Sequence, residues 1–201
     1  MKTFFEIHTA LRRILFLLPF LLLPSLAQAH PNHGPATGLA GGFMHPLTGL
    51  DHLCAMIAVG LWAAQRGGRA LWAVPLAFVS AMTLGALAGM SGHTLPFVEQ
   101  GIAASVLILG ILIVSALRLP LAASIVLVGA FALFHGYAHG AEMPATASGF
   151  AYGAGFVAAT AGLHLFGISL GLTARKLATE QMVRYAGGAI ALCGLYLVFA
   201  A

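Results

Sequence analysis

Six long apolar runs follow one another along the chain, at roughly 46–65, 71–91, 97–117, 121–140, 148–172 and 182–201. A bilayer core ~30 Å thick is crossed by ~20 apolar residues in a helix, so each run has the length of one crossing. The breaks are short and carry helix-ending residues: Gly67-Gly68, Gly92 to Pro96, Pro120 and Pro144. No strand pattern and no soluble domain fits between them. The pattern predicts an all-α polytopic membrane protein, a six-helix transmembrane bundle forming one domain over residues 30–201.

A shorter apolar stretch precedes these six and reads differently. Lys2, Arg12 and Arg13 come first, then ILFLLPFLLLPSLA with Pro19 and Pro24 inside it, then Ala27-Gln28-Ala29. A basic start, an apolar middle and a small-x-small end make a secretory signal peptide. Residues 1–29 are therefore expected to be removed, leaving His30 as the first residue.

Composition excludes the other broad classes. Of 201 residues, 60% are hydrophobic and only 7% charged, with a mean hydropathy of +0.97. Such a chain cannot cover a water-facing surface, nor stay solvated as a disordered one. The pI of about 9.5 comes from nine basic residues scattered in ones and twos, which make no nucleic-acid patch. Their placement carries topology instead. Arg66 and Arg69 lie between runs one and two, Arg118 between three and four, and Arg175, Lys176 and Arg184 between five and six. The other two loops have no Lys or Arg. The positive-inside rule makes the charged loops cytoplasmic, so both ends of the processed chain are expected outside an inner membrane.

Small residues spaced i, i+4 occur at Gly85/Gly89, Gly149/Gly153 and Gly167/Gly171 and are read as close helix–helix contacts. Cys54 and Cys193 form no CxxC motif and are read as small buried hydrophobes.

In so apolar a chain each polar residue within a run needs a reason, because an intramembrane charge costs roughly 2.5–3.5 kcal/mol. The first run opens His45-Pro46-Leu47-Thr48-Gly49-Leu50-Asp51-His52. On a continuous helix His45 and His52 share one face, Met56 follows on it, and Asp51 points about 100° away. The fourth run ends with His135, His139 and Glu142 at i, i+4 and i+7. Imidazoles and a carboxylate on one stripe resemble a divalent transition-metal site. By topology these residues lie at the outer end, with Glu99 at the start of the third run and His93 just before it. His30 and His33 would be outside too and are possible additional ligands. His164 is the exception. It lies about 16 residues into an inward-running span, roughly 24 Å along the axis, and is a candidate second station.

The string HPLTGLDHLCAMIAVG, from His45 to Gly60, resembles the first-span signature of the HupE/UreJ family of hydrogenase and urease accessory membrane proteins. FHGYAHGAE, from Phe134 to Glu142, is similar to that family's second signature. The resemblance covers essentially the whole chain. It implies a nickel or cobalt permease serving metalloenzyme maturation, with His45, Asp51, His52, His135, His139 and Glu142 at the metal. Its expected partners are Ni²⁺ or Co²⁺, the lipid bilayer and metalloenzyme maturation proteins. No residue set suggests bond-making chemistry or a resident cofactor, so no enzyme is expected. Two other classes remain open at this level. One is a membrane metal-binding accessory or sensor that does not conduct. The other is a haem protein using His52 with His135 or His139 as axial pair.

Overall fold

A computed structural model describes residues 38–92, 94–143, 148–177 and 180–200. The proposed leader, His30, His33 and His93 lie outside these. The described residues form α1 (Gly38–Met44), a 3₁₀ turn (His45–Leu47), α2 (Leu50–Arg66), α3 (Ala70–Met90), α4 (Val98–Ser115), α5 (Leu121–Ala141), α6 (Gly149–Lys176) and α7 (Glu180–Ala200). The last five are long and apolar enough to cross a membrane. Large side chains such as Phe150, Val126, Leu192 and Phe199 stand exposed on them, as a lipid-facing surface requires. The chain is a multi-pass membrane protein with an all-helical described part.

The expected first span is where the structure departs from the sequence reading. Residues 38–47 and 50–66 meet at 81°, so they are a broken span or a re-entrant pair, giving five crossings or up to six. The motif itself makes the corner. Pro46 sits in the first turn of the 3₁₀ segment, and the Thr48 hydroxyl donates to the His45 carbonyl at 2.7 Å. Gly49 is extended, at φ −90° and ψ 123°, and starts α2. The Asp51 carboxylate folds back and accepts the His52 N–H at 2.7 Å, serving a helix N-terminus that has spare donors and positive potential. A Cβ at Gly49 would lie 2.7 Å from Asp51 Oδ1. His45 and His52 are therefore on two differently directed segments, not on one helical stripe.

α2 runs through the middle of the bundle. Every residue from His52 to Ala64 is buried, the signature of a helix surrounded on all sides. Around it, helices approach through glycine. Gly85 and Gly89 of α3 meet Gly136 and Gly140 of α5 so closely that a Cβ on any of them would fall within 1.9–2.4 Å of a facing backbone oxygen. Gly60 of α2 and Gly167 of α6 meet the same way. Gly171 also packs, against Ala64. Gly149/Gly153 does not behave as expected: a Cβ on Gly153 meets nothing within 4 Å, because this pair lines a cleft between α3, α5 and α6.

Among the described residues the basic side chains gather at the opposite end from the histidine motifs. Arg66 donates to the Leu119 carbonyl, Arg175 to Ala64 O at 3.2 Å and Arg184 to Val114 O at 2.6 Å. The last two serve carbonyls in the final turns of α2 and α4, which lack helical partners.

Candidate metal centre

Three ligand atoms converge at one end of the bundle. His45 Nε2, from the 3₁₀ turn, lies 2.8 Å from His139 Nδ1 on α5. Glu142 Oε2, at the end of α5, lies 3.5 Å from the first and 3.8 Å from the second. An ion held by bonds of ~2.1 Å needs neighbouring ligands about 3.0 Å apart at right angles and about 3.4 Å apart in a tetrahedron. The observed separations bracket those values.

Local structure explains the convergence. α5 runs helically to Ala141 and Glu142 keeps helical angles, φ −86° and ψ −5°, so His139 and Glu142 stay on one side. α1 is seated on α6, where Cβ atoms on Gly42 and Gly155 would strike the facing backbone. That contact fixes the corner bearing His45 over α5. Exposure then falls inward: the Glu142 side chain is 58% exposed, His45 32%, His139 15%, and His52 is fully buried.

His52 continues the cluster. Its Nδ1 lies 3.1 Å from His139 Nε2 and its Nε2 lies 3.4 Å from the Thr160 hydroxyl. Each neutral imidazole has one N–H and one lone pair, so His45, His139 and His52 can form a head-to-tail chain. Phe156 of α6 walls all three, with ring centroids 6.3, 4.6 and 5.1 Å away. A cleft of about 490 Å³, lined mainly by apolar side chains including Met82, Met90 and Met143, reaches His139 from the side.

The remaining sequence candidates stand elsewhere. His135 is buried beside His52, ring centroids 5.3 Å apart, but its Nε2 meets Ser105 Oγ at 2.8 Å and not the mouth cluster. Asp51 and Glu99 share a separate pocket of about 130 Å³ between α2, α4 and α7. His164 lies deeper on α6 and is 2% exposed. Met56 is wholly buried in the core.

Sequence reading missed Phe156, Ser105 and Thr160. One phenylalanine among thirteen carries no mark, and hydroxyls in apolar runs usually bond their own helix. It also missed that Cys54 and Cys193 face each other across α2 and α7, Sγ to Sγ 3.7 Å.

The family description "HupE / UreJ protein" matches residues 18–197. The chain belongs to the HupE/UreJ family. A curated relative, Protein HupE of Rhizobium leguminosarum bv. viciae, is 45% identical over 181 residues, 90% of this chain and 94% of its own length. No solved structure matches. In this HupE/UreJ protein both strings that carried the resemblance end at the same place: His45 and His52 of the first meet His139 and Glu142 of the second.

Proposed function

We propose that the protein is an inner-membrane permease that takes up nickel, or cobalt, for maturation of a hydrogenase or urease. The observation that carries this reading is the graded mouth: an exposed carboxylate, two mostly buried imidazoles sharing its point of convergence, and a fully buried third imidazole behind them. A hydrated cation is drawn first by Glu142. His45 and His139 then replace water one ligand at a time, and His52 takes over below. Nitrogen and carboxylate donors suit first-row divalent ions, and at a given site nickel binds more tightly than cobalt. A conducting site must bind well enough to strip water and loosely enough to release, which suits a few ligands at slightly uneven distances.

The loop charges put the mouth outside, since the six arginines and lysines of residues 30–201 belong to the other end. On this reading the protein carries an ion and performs no bond chemistry. A haem axial pair fits poorly. Two nitrogens on opposite sides of one iron lie about 4 Å apart with the macrocycle between them. Here His52 and His139 are in edge contact at 3.1 Å and His52 and His135 also touch.

The deciding experiment is uptake of radiolabelled nickel into vesicles containing the purified protein, with cobalt and zinc as competitors. Saturable uptake that cobalt competes supports the permease. Tight nickel binding without flux refutes it in favour of a non-conducting accessory or sensor.

A further inference from the structure

The chain has two cysteines, 139 positions apart, and they are in contact. Cys54 Sγ of α2 lies 3.7 Å from Cys193 Sγ of α7. Cys54 is in the first turns of α2 and Cys193 in the last turns of α7, so the pair sits toward the outer end of the bundle. Cys54 is buried and Cys193 partly exposed. The pocket of about 130 Å³ that holds Asp51 and Glu99 lies between the same two helices and α4. Asp51 is three residues before Cys54 on α2, and Leu197, also in the pocket wall, is four residues after Cys193 on α7. Both steps are one helical turn outward, which places the thiols one turn below the pocket.

Two thiols in contact can become a disulfide by giving up two hydrogens and two electrons. Hydrogen peroxide is the oxidant that suits this place. It is close in size to water, which takes about 30 Å³, and its two O–H groups match carboxylates, which only accept. Cys193, the more exposed thiol, attacks one peroxide oxygen. The O–O bond breaks, the other oxygen leaves as water with the thiol proton, and Cys193 becomes a sulfenic acid. Cys54 Sγ then attacks that sulfur: the S–S bond forms, the S–O bond breaks, and a second water leaves with the Cys54 proton.

The bond reaches the metal path through α2. Cys54 is two residues past His52, about 200° around the helix. One therefore faces α7 while the other faces His139 of α5 and Thr160 of α6. Disulfide sulfurs are ~2.0 Å apart. Closing the 3.7 Å contact draws the outer turns of α2 toward α7 and His52 away from His139, which it meets at 3.1 Å.

We propose that Cys54 and Cys193 form a redox site oxidised by peroxide, and that the disulfide slows metal uptake by drawing His52 off His139. The second half rests on the permease reading; the first does not.

The test uses the full chain in lipid vesicles, treated with hydrogen peroxide in the absence of nickel and quenched with catalase. Intact mass, linked peptides and initial uptake at limiting nickel are then measured. Wild type should lose two hydrogens, link Cys54 to Cys193 within one chain, and lose roughly tenfold or more in uptake. A phosphine reductant, removed before the assay, should restore both. Cys54→Ser and Cys193→Ser should each transport as untreated wild type does and keep that rate after peroxide. In the Cys54→Ser protein dimedone should trap a sulfenic acid on Cys193. No bridge at peroxide doses below those that oxidise methionine would overturn the site. A bridge with unchanged uptake, or equal loss of uptake in the serine variants, would overturn the control of uptake and leave the permease standing. A bridged protein that conducts no nickel in either state would sink the permease and keep the redox site.

Discussion

His139 stands where the cluster is most vulnerable, because both of its ring nitrogens are engaged. Nδ1 faces His45 at 2.8 Å and Glu142 at 3.8 Å, and Nε2 faces His52 at 3.1 Å. His139→Ala leaves His45 Nε2 and Glu142 Oε2 still 3.5 Å apart, close enough to hold an ion between them. Binding at the mouth should therefore weaken and not vanish. A drop of ten- to a hundredfold corresponds to roughly 1.4–2.8 kcal/mol. Raising external nickel by the same factor should restore most of the uptake. The next removal meets a different situation. With His45 gone as well, one carboxylate remains and no chelate exists, so the site is already near its floor. The loss in the double variant should be clearly smaller than the product of the two single losses, as for residues acting as a unit. The assay is nickel titration of purified protein alongside initial uptake rates at limiting nickel, each normalised to protein in the membrane. A purely structural histidine would behave otherwise: abundance would fall, loss per molecule would be mild, and added nickel would not help. Single losses that multiply in the double variant, or normal limiting-nickel uptake by His139→Ala, would falsify the shared site.

Helix contact is tested by glycine. Gly136→Ala puts a methyl 1.9 Å from Met82 O and should cost about 1–3 kcal/mol, lowering the thermal midpoint in detergent, whereas Gly153→Ala should be neutral. Gly49→Ala should push Asp51 off the start of α2 and reduce membrane levels, measured by immunoblot against wild type. Mild oxidation with diamide should join Cys54 to Cys193 within one chain, read as a mass loss of two hydrogens that either Cys→Ser change abolishes; no bridge would contradict the α2–α7 register. A reporter active only in the periplasm should be active when fused after Ala201 and silent in the Gly67-Gly68 loop, and the mature chain should begin at His30 by mass analysis.

Much of the architecture is written in the one-dimensional pattern. In a bilayer an apolar run of sufficient length has no alternative to crossing as a helix, since every backbone group must be satisfied within the segment. That is why the bounds of α3 to α7 follow the runs within a few residues. It is also why the arginines and the histidine motifs could be assigned to opposite ends before any contact was known. The ligand types were legible for a similar reason: in a chain 7% charged, a buried imidazole or carboxylate stands out. What composition and period could not decide was geometry between segments. The first run, 46–65, reads as a helix by hydropathy, yet Pro46, Thr48 and Gly49 set a corner of 81° at its start, between residues 38–47 and 50–66, and only that corner carries His45 over His139. Asp51 sits in the same string as His52, but one residue of helical rotation sends it to its own helix start and to the pocket with Glu99. Gly85 finds a backbone and Gly153 finds open space, though both have a small residue four positions away. Hydropathy is a property of each segment and survives any arrangement of its neighbours. Which side chains meet depends on crossing angles and register, set by contacts between residues as far apart as Gly42 and Tyr152 or Gly136 and Met82.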